Sequence, residues 1–247
     1  MQPSILVIVT ASIAAPKALT LLHSLKKLKY NFEVILTNSA KNFIASEEVK
    51  EIAGKNPYAE LFSKAELHEM QHINLTRNAD LVFIYPATAD FINKMAHGIA
   101  DDLASSAVLA CNKEICIAPA MNLHMWENKV TQDSLEALGS RGVKILGPDL
   151  GQLACGEVGL GRLIEPDEAV SFIEDYFSLA KHVKGKTIII TAGATIEPID
   201  PVRYISNFSS GKQGVWLACY LKDLGADVVL IKGKTDCLVR QDLQVIS

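Results

Sequence analysis

The strongest constraint in this sequence is a recurrence of short apolar runs without polar alternation. They are "ILVIVT" (5–10), "FEVILT" (32–37), "ADLVFIYPA" (79–87), "EICIAPA" (114–120) and "VKILGP" (143–148). A strand with one wet face alternates apolar and polar residues, whereas a strand covered on both faces has no need to. Helix-patterned stretches lie between the runs: "KALTLLHSLKKL" after Pro16, a segment through Ala40–Ile52, and another near Thr131–Ser140. "LASSAVLAC" (103–111) reads as one more apolar run in the series. Buried strands alternating with helices predict an α/β fold, a Rossmann-like doubly wound parallel sheet with its site in the loops at the strands' carboxyl ends.

"PDEAVSFIEDYFSLAKHV" (166–183) has the pattern of an amphipathic helix opening on Pro166, and "HVKGK" after it reads as a junction. The pattern then restarts with "TIIITAG", a long loop, a Gly-rich turn, the helical "VWLACYLKDLG" and the strand "ADVVLIKG". That predicts a first domain over 1–183 and one βαβ unit and no more over 184–247. Such a unit is too small to bury a doubly wound core, so it is expected to be the N-terminal part of an incomplete second α/β domain, or to dock on the first.

Composition excludes several classes. The formal net charge of −4 argues against nucleic acid, since neutralising phosphates needs clustered Lys and Arg. No run of eighteen apolar residues is available to span a membrane, and the N-terminus lacks the basic start and cleavage site of a signal peptide. Five cysteines without a CxxC spacing predict reduced thiols and a cytoplasmic location. Cys111, Cys116 and Cys219 sit in apolar segments and read as core residues. Cys155 lies among the glycines of "GQLACGEVGLGR", where it is either incidental or a mobile chemical group.

Three strand ends offer small or hydroxylated residues. "TASIAAPK" (10–17) lets backbone N–H groups approach a phosphate at a helix start, or is simply a tight connection; it is not GxGxxG, so a mononucleotide fits it better than a dinucleotide. "LTNSAKNF" (36–43) and "PATAD" (86–90) repeat the theme, as a flavin mononucleotide pocket requires. His68 and His72 are four residues apart and can share a helix face, but no third metal ligand is evident and no metal site is expected. The end of the fourth run, "APAMNLHMWEN" (118–128), crowds Met121, Met125 and Trp126 around Asn122, whose amide either caps the next turn or binds a ligand.

These segments resemble one family. "PAMNLHMW" matches the Pro-x-Met-Asn-x-x-Met-Trp motif of the flavin-dependent cysteine decarboxylases, "HINLTRNADL" resembles their active-site His segment, and "LACGEVGLGR" their catalytic-Cys flap. "HGIADDLASS" resembles the stretch between, and "TAGATIEPIDPVRYISNFSSGKQG" looks like the start of a phosphopantothenoylcysteine synthetase domain. Together they resemble the bifunctional phosphopantothenoylcysteine decarboxylase/phosphopantothenate–cysteine ligases of coenzyme A synthesis.

The resemblance implies that the cysteine thiol of 4′-phospho-N-pantothenoylcysteine is oxidised by bound FMN to a thioaldehyde, with His72 as base or positioning group. Loss of CO2, with Asn122 on the carboxylate and Met125 and Trp126 in the wall, leaves an enethiolate. Protonation by Cys155 and return of a hydride then give 4′-phosphopantetheine. Flavin contacts would fall on Ser12, Ile13, Thr37, Ser39, Thr88, Ser105, Ala120 and Met121. The family commonly has Asn-Thr where this chain has Asp90-Phe91, and a carboxylate beside a flavin is unfavourable. In the second region, Arg203, Asn207, Ser210, Gly211 and Lys212 would face an acyl-cytidylate made with CTP and magnesium, although "SSGKQG" also suits a plain helix start. The chain stops before that family's cytidine pocket and catalytic Lys loop, so it is not expected to ligate cysteine by itself. Related enzymes imply self-association as a trimer or an assembly of trimers. Rival readings are a peptidyl-cysteine decarboxylase, a flavin prenyltransferase and a non-enzymatic flavin-binding regulatory subunit. The purified protein should be yellow and release FMN, not FAD, on denaturation; a colourless preparation that takes up no FMN would contradict this reading.

Overall fold

Ile5, Leu6, Val7, Ile8 and Val9 have no exposed surface, so β1 (Ser4–Val9) is covered on both faces. The structure is a computed structural model of the chain and describes residues 2–59, 71–235 and 237–246. His68 lies outside the described residues. The chain divides into two compact units, Met1–Phe172 and Ile173–Ser247.

In the first unit β1 leads to α1 (Lys17–Lys27), β2 (Asn31–Leu36), α2 (Ser46–Ala53) and α3 (Gln71–Arg77). There follow β3 (Leu81–Ala87), α4 (Ala89–His97), α5 (Leu103–Leu109), β4 (Glu114–Pro119), α6 (Leu123–Glu127), α7 (Lys129–Ser140) and β5 (Lys144–Ile145). All five strands run parallel in the order β2-β1-β3-β4-β5. The doubly wound sheet predicted from the apolar runs is present. A hairpin, β6 (Asp149–Gln152) and β7 (Val158–Arg162), follows the sheet, and α8 (Pro166–Val183) comes after it.

The pleat sends alternate residues to opposite faces. Leu6, Ile8, Val82, Ile84 and Ile117 share a core with Leu75 of α3, Phe91, Ile92 and Met95 of α4, Leu103 and Ala107 of α5, and Leu135 and Leu138 of α7. Phe83 and Tyr85 point the other way, and Phe83 meets Phe172 of α8 with ring centroids 6.5 Å apart. On α1, Ala18, Leu21, Leu22 and Leu25 recur at helical spacing and are fully buried.

Two local expectations change. "LASSAVLAC" forms α5, not a strand, because Asp102 accepts the Ser105 N–H at 2.7 Å and caps a helix there. The stretch through Ala40–Ile52 is broken into a 3-10 turn, Ala40–Asn42, and α2, whose N-cap is Ala45 and whose C-cap is left-handed Gly54.

The second unit holds β8 (Thr187–Ala192), β9 (Ile196–Pro198), β10 (Tyr204–Ser206), α9 (Lys212–Asp223), β11 (Asp227–Lys232) and β12 (Gln244–Ile246). Its parallel sheet has the order β12-β11-β8, and β9 and β10 form an antiparallel pair. This corrects the single βαβ unit read from the sequence: the run "LQVI" is too short and too polar to read as a strand alone, and it becomes one by pairing with β11. Ala192, Val215, Ala218, Val228 and Leu230 form this unit's own core. Leu21→Ala should cost about 2–5 kcal/mol of stability, read as a lower urea midpoint at unchanged m-value.

Candidate functional site

The strand order reverses direction between β1 and β3, and the helices that follow them leave on opposite faces. Such a switch point opens a crevice beyond the strands' carboxyl ends. Thr10 sits at its floor with 2% of its surface exposed. Its hydroxyl donates to the Pro86 carbonyl at 2.8 Å and accepts the Thr88 N–H at 3.1 Å. Thr88 in turn caps α4, its hydroxyl accepting the Phe91 N–H at 3.4 Å. One buried hydroxyl thus ties together the two loops that face the crevice. Thr10 was not among the expected site residues, although "ILVIVT" ends on a hydroxyl just as the next strand does.

Several residues expected to contact a flavin lie on the loops at this edge of the sheet. Ser12 is half-buried, and its Oγ accepts the Ala14 N–H at 3.2 Å, turning the loop. Ile13 is 68% exposed at the rim. Thr37 follows β2 and is buried, its N–H bonded to Val9 O at 3.1 Å, with Ser39 exposed beyond it. Among the described residues, the N–H groups of Ser12, Ile13, Asn38, Ser39, Ala89 and Asp90 make no hydrogen bond within the chain. Open donors on neighbouring strand-end loops, framed by small side chains, suit a phosphate and a heteroaromatic ring edge.

Ser105 differs from the others. Its hydroxyl is 2.6 Å from Asp102 Oδ1 and accepts the N–H groups of Asp101 and Asp102, so it is engaged in the cap of α5. Asp90 points outward at the second position of α4 and pairs with Lys94 at 3.3 Å. Phe91 beside it is buried in the core. Lys94 also meets Asp101 at 3.0 Å, and the Asp101 carboxylate holds its ammonium above the usual lysine range. A helix N-terminus favours an acidic residue, so the Asp90 charge is offset where it stands.

Next along the sheet, the Ala120 N–H bonds Ala87 O at 2.9 Å, carrying the chain from β4 towards Asn122. Asn122 is the N-cap of α6, with Oδ1 accepting the Met125 N–H at 2.8 Å. The capping role left open by the sequence is therefore real. It does not use up the side chain: an oxygen fixed on a backbone N–H leaves the amide NH2 to donate elsewhere. Met121 and Trp126 pack partly against the core, while Met125 is 52% exposed.

The Cys155 segment is a hairpin, not a plain loop, and it lies along the Asn122 motif. The Met121 N–H bonds Gly161 O at 3.0 Å. A Cβ on Gly159 would stand 2.7 Å from Leu123 Cδ1, and one on Gly161 would collide with the Met121 carbonyl. These glycines read as a mobile loop in sequence; their structural use is close approach. At the tip Cys155 is exposed, its Sγ donating to Glu157 Oε2 at 3.3 Å, and the other Glu157 oxygen lies 3.5 Å from His124 Nε2. Cys116 is buried, and burial pushes its thiol well up. Cys111 and Cys219 are half-buried and raised for the same reason.

His72 is half-buried in the first turn of α3, which precedes β3 and so starts towards the carboxyl edge of the sheet. No group of three or more metal-ligating side chains occurs among the described residues. No helix among them is long and apolar enough to cross a membrane.

In the second unit a cavity of about 470 Å³ is lined by Asn207, Ser209, Ser210, Lys212, Lys234 and Thr235, among others. Left-handed Gly211 caps α9, and a Cβ there would stand 2.6 Å from Thr235 Oγ1. Asn207 Oδ1 accepts the Thr195 N–H at 3.2 Å. Arg203 is not in that lining; it pairs with Asp200 at 2.6 Å, and Asp200 is held below the usual carboxylate range by the Val202 and Arg203 N–H groups and that guanidinium.

The chain belongs to the flavoprotein family, whose model matches residues 1–178, and the model of the DNA/pantothenate metabolism flavoprotein C-terminal domain matches residues 183–247. It is 42% identical over 229 residues to the coenzyme A biosynthesis bifunctional protein CoaBC of Vibrio vulnificus, covering 93% of this chain and 57% of that protein. The chain thus spans little more than half the length of the curated relatives it matches. Among solved structures it is similar to a Cys-to-Ser mutant of PPC decarboxylase complexed with pantothenoylaminoethenethiol, at 26% identity and a TM-score of 0.65 over 72% of this chain and 100% of that one. It is also similar to the FMN binding protein AtHal3, at 27% identity and a TM-score of 0.63 over 72% and 98% of the two chains.

Gly161→Ala should lift the hairpin off the Asn122 loop at a cost of about 1–3 kcal/mol. Faster amide exchange at Met121 than in the parent protein would show it.

Proposed function

We propose that the chain carries out the FMN-dependent decarboxylation of 4′-phospho-N-pantothenoylcysteine to 4′-phosphopantetheine. The observation that carries this reading is the packing of the Cys155 hairpin along the Asn122 motif, beside a switch-point crevice with open backbone donors. The crevice fits FMN on its own features: small residues, free N–H groups and the Thr10-tied loops, with Ser12, Ile13, Thr37, Ser39, Thr88, Ala120 and Met121 as the residues to hold it. When bound, the flavin supplies two-electron chemistry that no side chain here offers.

The side chains then have separate roles. The Asn122 NH2 donates to the substrate carboxylate without adding a charge, so a group that disperses its charge on leaving as CO2 loses little. His72 takes or positions the thiol proton. Cys155 Sγ–H gives its proton to the enethiolate after CO2 has left, and the hairpin tip screens that step from water. The second unit supports reading the substrate as one of coenzyme A synthesis rather than a peptide ending in cysteine. In a longer chain its cavity would take a nucleotide with CTP and magnesium as ligase reactants, Lys212, Ser210 and Asn207 facing the phosphates. Self-association as a trimer, with neighbouring subunits completing the flavin site, agrees with the exposed Ile13 and Met125. Five free cysteines agree with a reducing, cytoplasmic setting.

CO2 release from phosphopantothenoylcysteine, measured against a peptide ending in cysteine, tests the reaction; preference for the peptide would overturn it. Cys155→Ser should still release CO2 but accumulate the enethiol. Asn122→Asp keeps a good helix cap but opposes the carboxylate, so kcat/KM should fall roughly 100-fold or more with stability little changed. Unchanged turnover in that variant would leave Asn122 with capping alone.

A further inference from the structure

The two halves of the Cys155 hairpin are held very differently. Its base is fixed residue by residue: Gly161 O to the Met121 N–H at 3.0 Å, Ile164 O to the Tyr85 hydroxyl at 2.8 Å, and Leu163 O within 3.5 Å of Lys17 Nζ. Burial raises the Tyr85 phenol, with Glu165 adding to the effect, so it stays a donor. Glu165 closes the base, its Oε1 2.9 Å from Lys17 Nζ and also bonded by Arg162 Nη2. The Arg162 side chain crosses to β6, where a Cβ on Gly151 would stand 2.9 Å from its Cδ. At the tip the backbone bonds found among the described residues are those of its own turn, Leu153 N–H to Glu157 O at 2.8 Å and Gly156 N–H to Leu153 O at 2.9 Å, with Leu153 buried and the His124–Glu157 contact beside it.

We propose that Lys17, Glu165 and Arg162 form an ionic brace that sets where Cys155 stands over the Asn122 loop, with Glu165 the positioning residue for proton delivery by the thiol. This rests on the decarboxylase reading above. Lys17 is the first residue of α1, separated by the N-cap Pro16 from the Thr10–Ala15 loop that faces the crevice. Glu165 joins β7 to α8. One carboxylate therefore couples the start of the helix beside the crevice to the hairpin whose turn carries the thiol.

Exposed ion pairs contribute little to global stability, so the brace acts on placement. Strands rise about 3.3 Å per residue, so a tip five residues out stands roughly 17 Å from its base, and a tilt of about 5° moves it ~1.5 Å. Misplacement of about 1 Å can cost on the order of 100-fold in rate. Asn122 and His72 lie outside the hairpin, so loss of the brace should spare CO2 release and impair the later proton transfer.

The test compares Glu165→Ala, Lys17→Met and Glu165→Asp with the parent protein loaded with FMN. The first two should release CO2 within about threefold of the parent rate while the ratio of enethiol to finished thiol rises at least about tenfold, and Glu165→Asp should restore most of the parent ratio. Amide exchange across residues 149–162 should quicken in Glu165→Ala and Lys17→Met with β1 unaffected. An unchanged product ratio with unchanged exchange overturns the brace. So does a parallel fall of both half-reactions with exchange quickened throughout the sheet, which would mean general destabilisation. If the parent protein releases no CO2, the decarboxylase reading fails instead, and the exchange comparison still judges the brace.

Discussion

Everything in the first unit depends on β1 being buried on both faces. A strand with no wet side must have helices above and below it, and its neighbours β2 and β3 must send their crossovers to different faces. The reversal of strand order beside β1 follows from that, and so does the crevice at its carboxyl end. Thr10 is where the burial meets the site: its backbone belongs to the end of the central strand, and its hydroxyl links the Pro86 and Thr88 backbones that form the rim.

Asn122 and Cys155 are held in different ways. Asn122 is anchored through its own cap, its Oδ1 accepting the Met125 N–H. The thiol stands instead in the turn of a two-stranded hairpin whose base is bonded to Met121, Tyr85 and Lys17. Glycines at 159 and 161 let that hairpin lie against the Asn122 loop; a Cβ at 161 would collide with the Met121 carbonyl, and one at 159 would push the Leu123 side chain aside.

Much of the fold was legible because burial leaves a mark in composition. Both-sided burial removes polar alternation, so β1, β2, β3 and β4 could be read from their runs, and α8 from its periodicity. Short or edge elements carry less of that mark. α5 is apolar on five of its seven residues, and its Asp102 cap marks it as a helix. β12 is three residues at a sheet edge, and its pairing with β11 makes it a strand. The motifs singled out Asn122, Cys155 and His72, whereas Thr10 and Lys17 entered only as the two ends of "TASIAAPK" and Glu165 not at all. Those three matter through partners 76 to 148 residues away in the chain, and no local pattern records such a partner.

The sequence by itself determined the covered parallel sheet, the chemical character of its strand-end loops and the family to which the chain belongs. Each of these is written in local runs of residue types. Only the tertiary structure decided that the amide of Asn122 is half used as a cap, that Asp90 turns away to Lys94, and that a glycine-rich segment is an arm laid along the Asn122 motif. Those outcomes depend on which groups meet across long separations in the chain, and the cost of leaving a buried donor unpaired or overlapping two atoms is settled only where they meet.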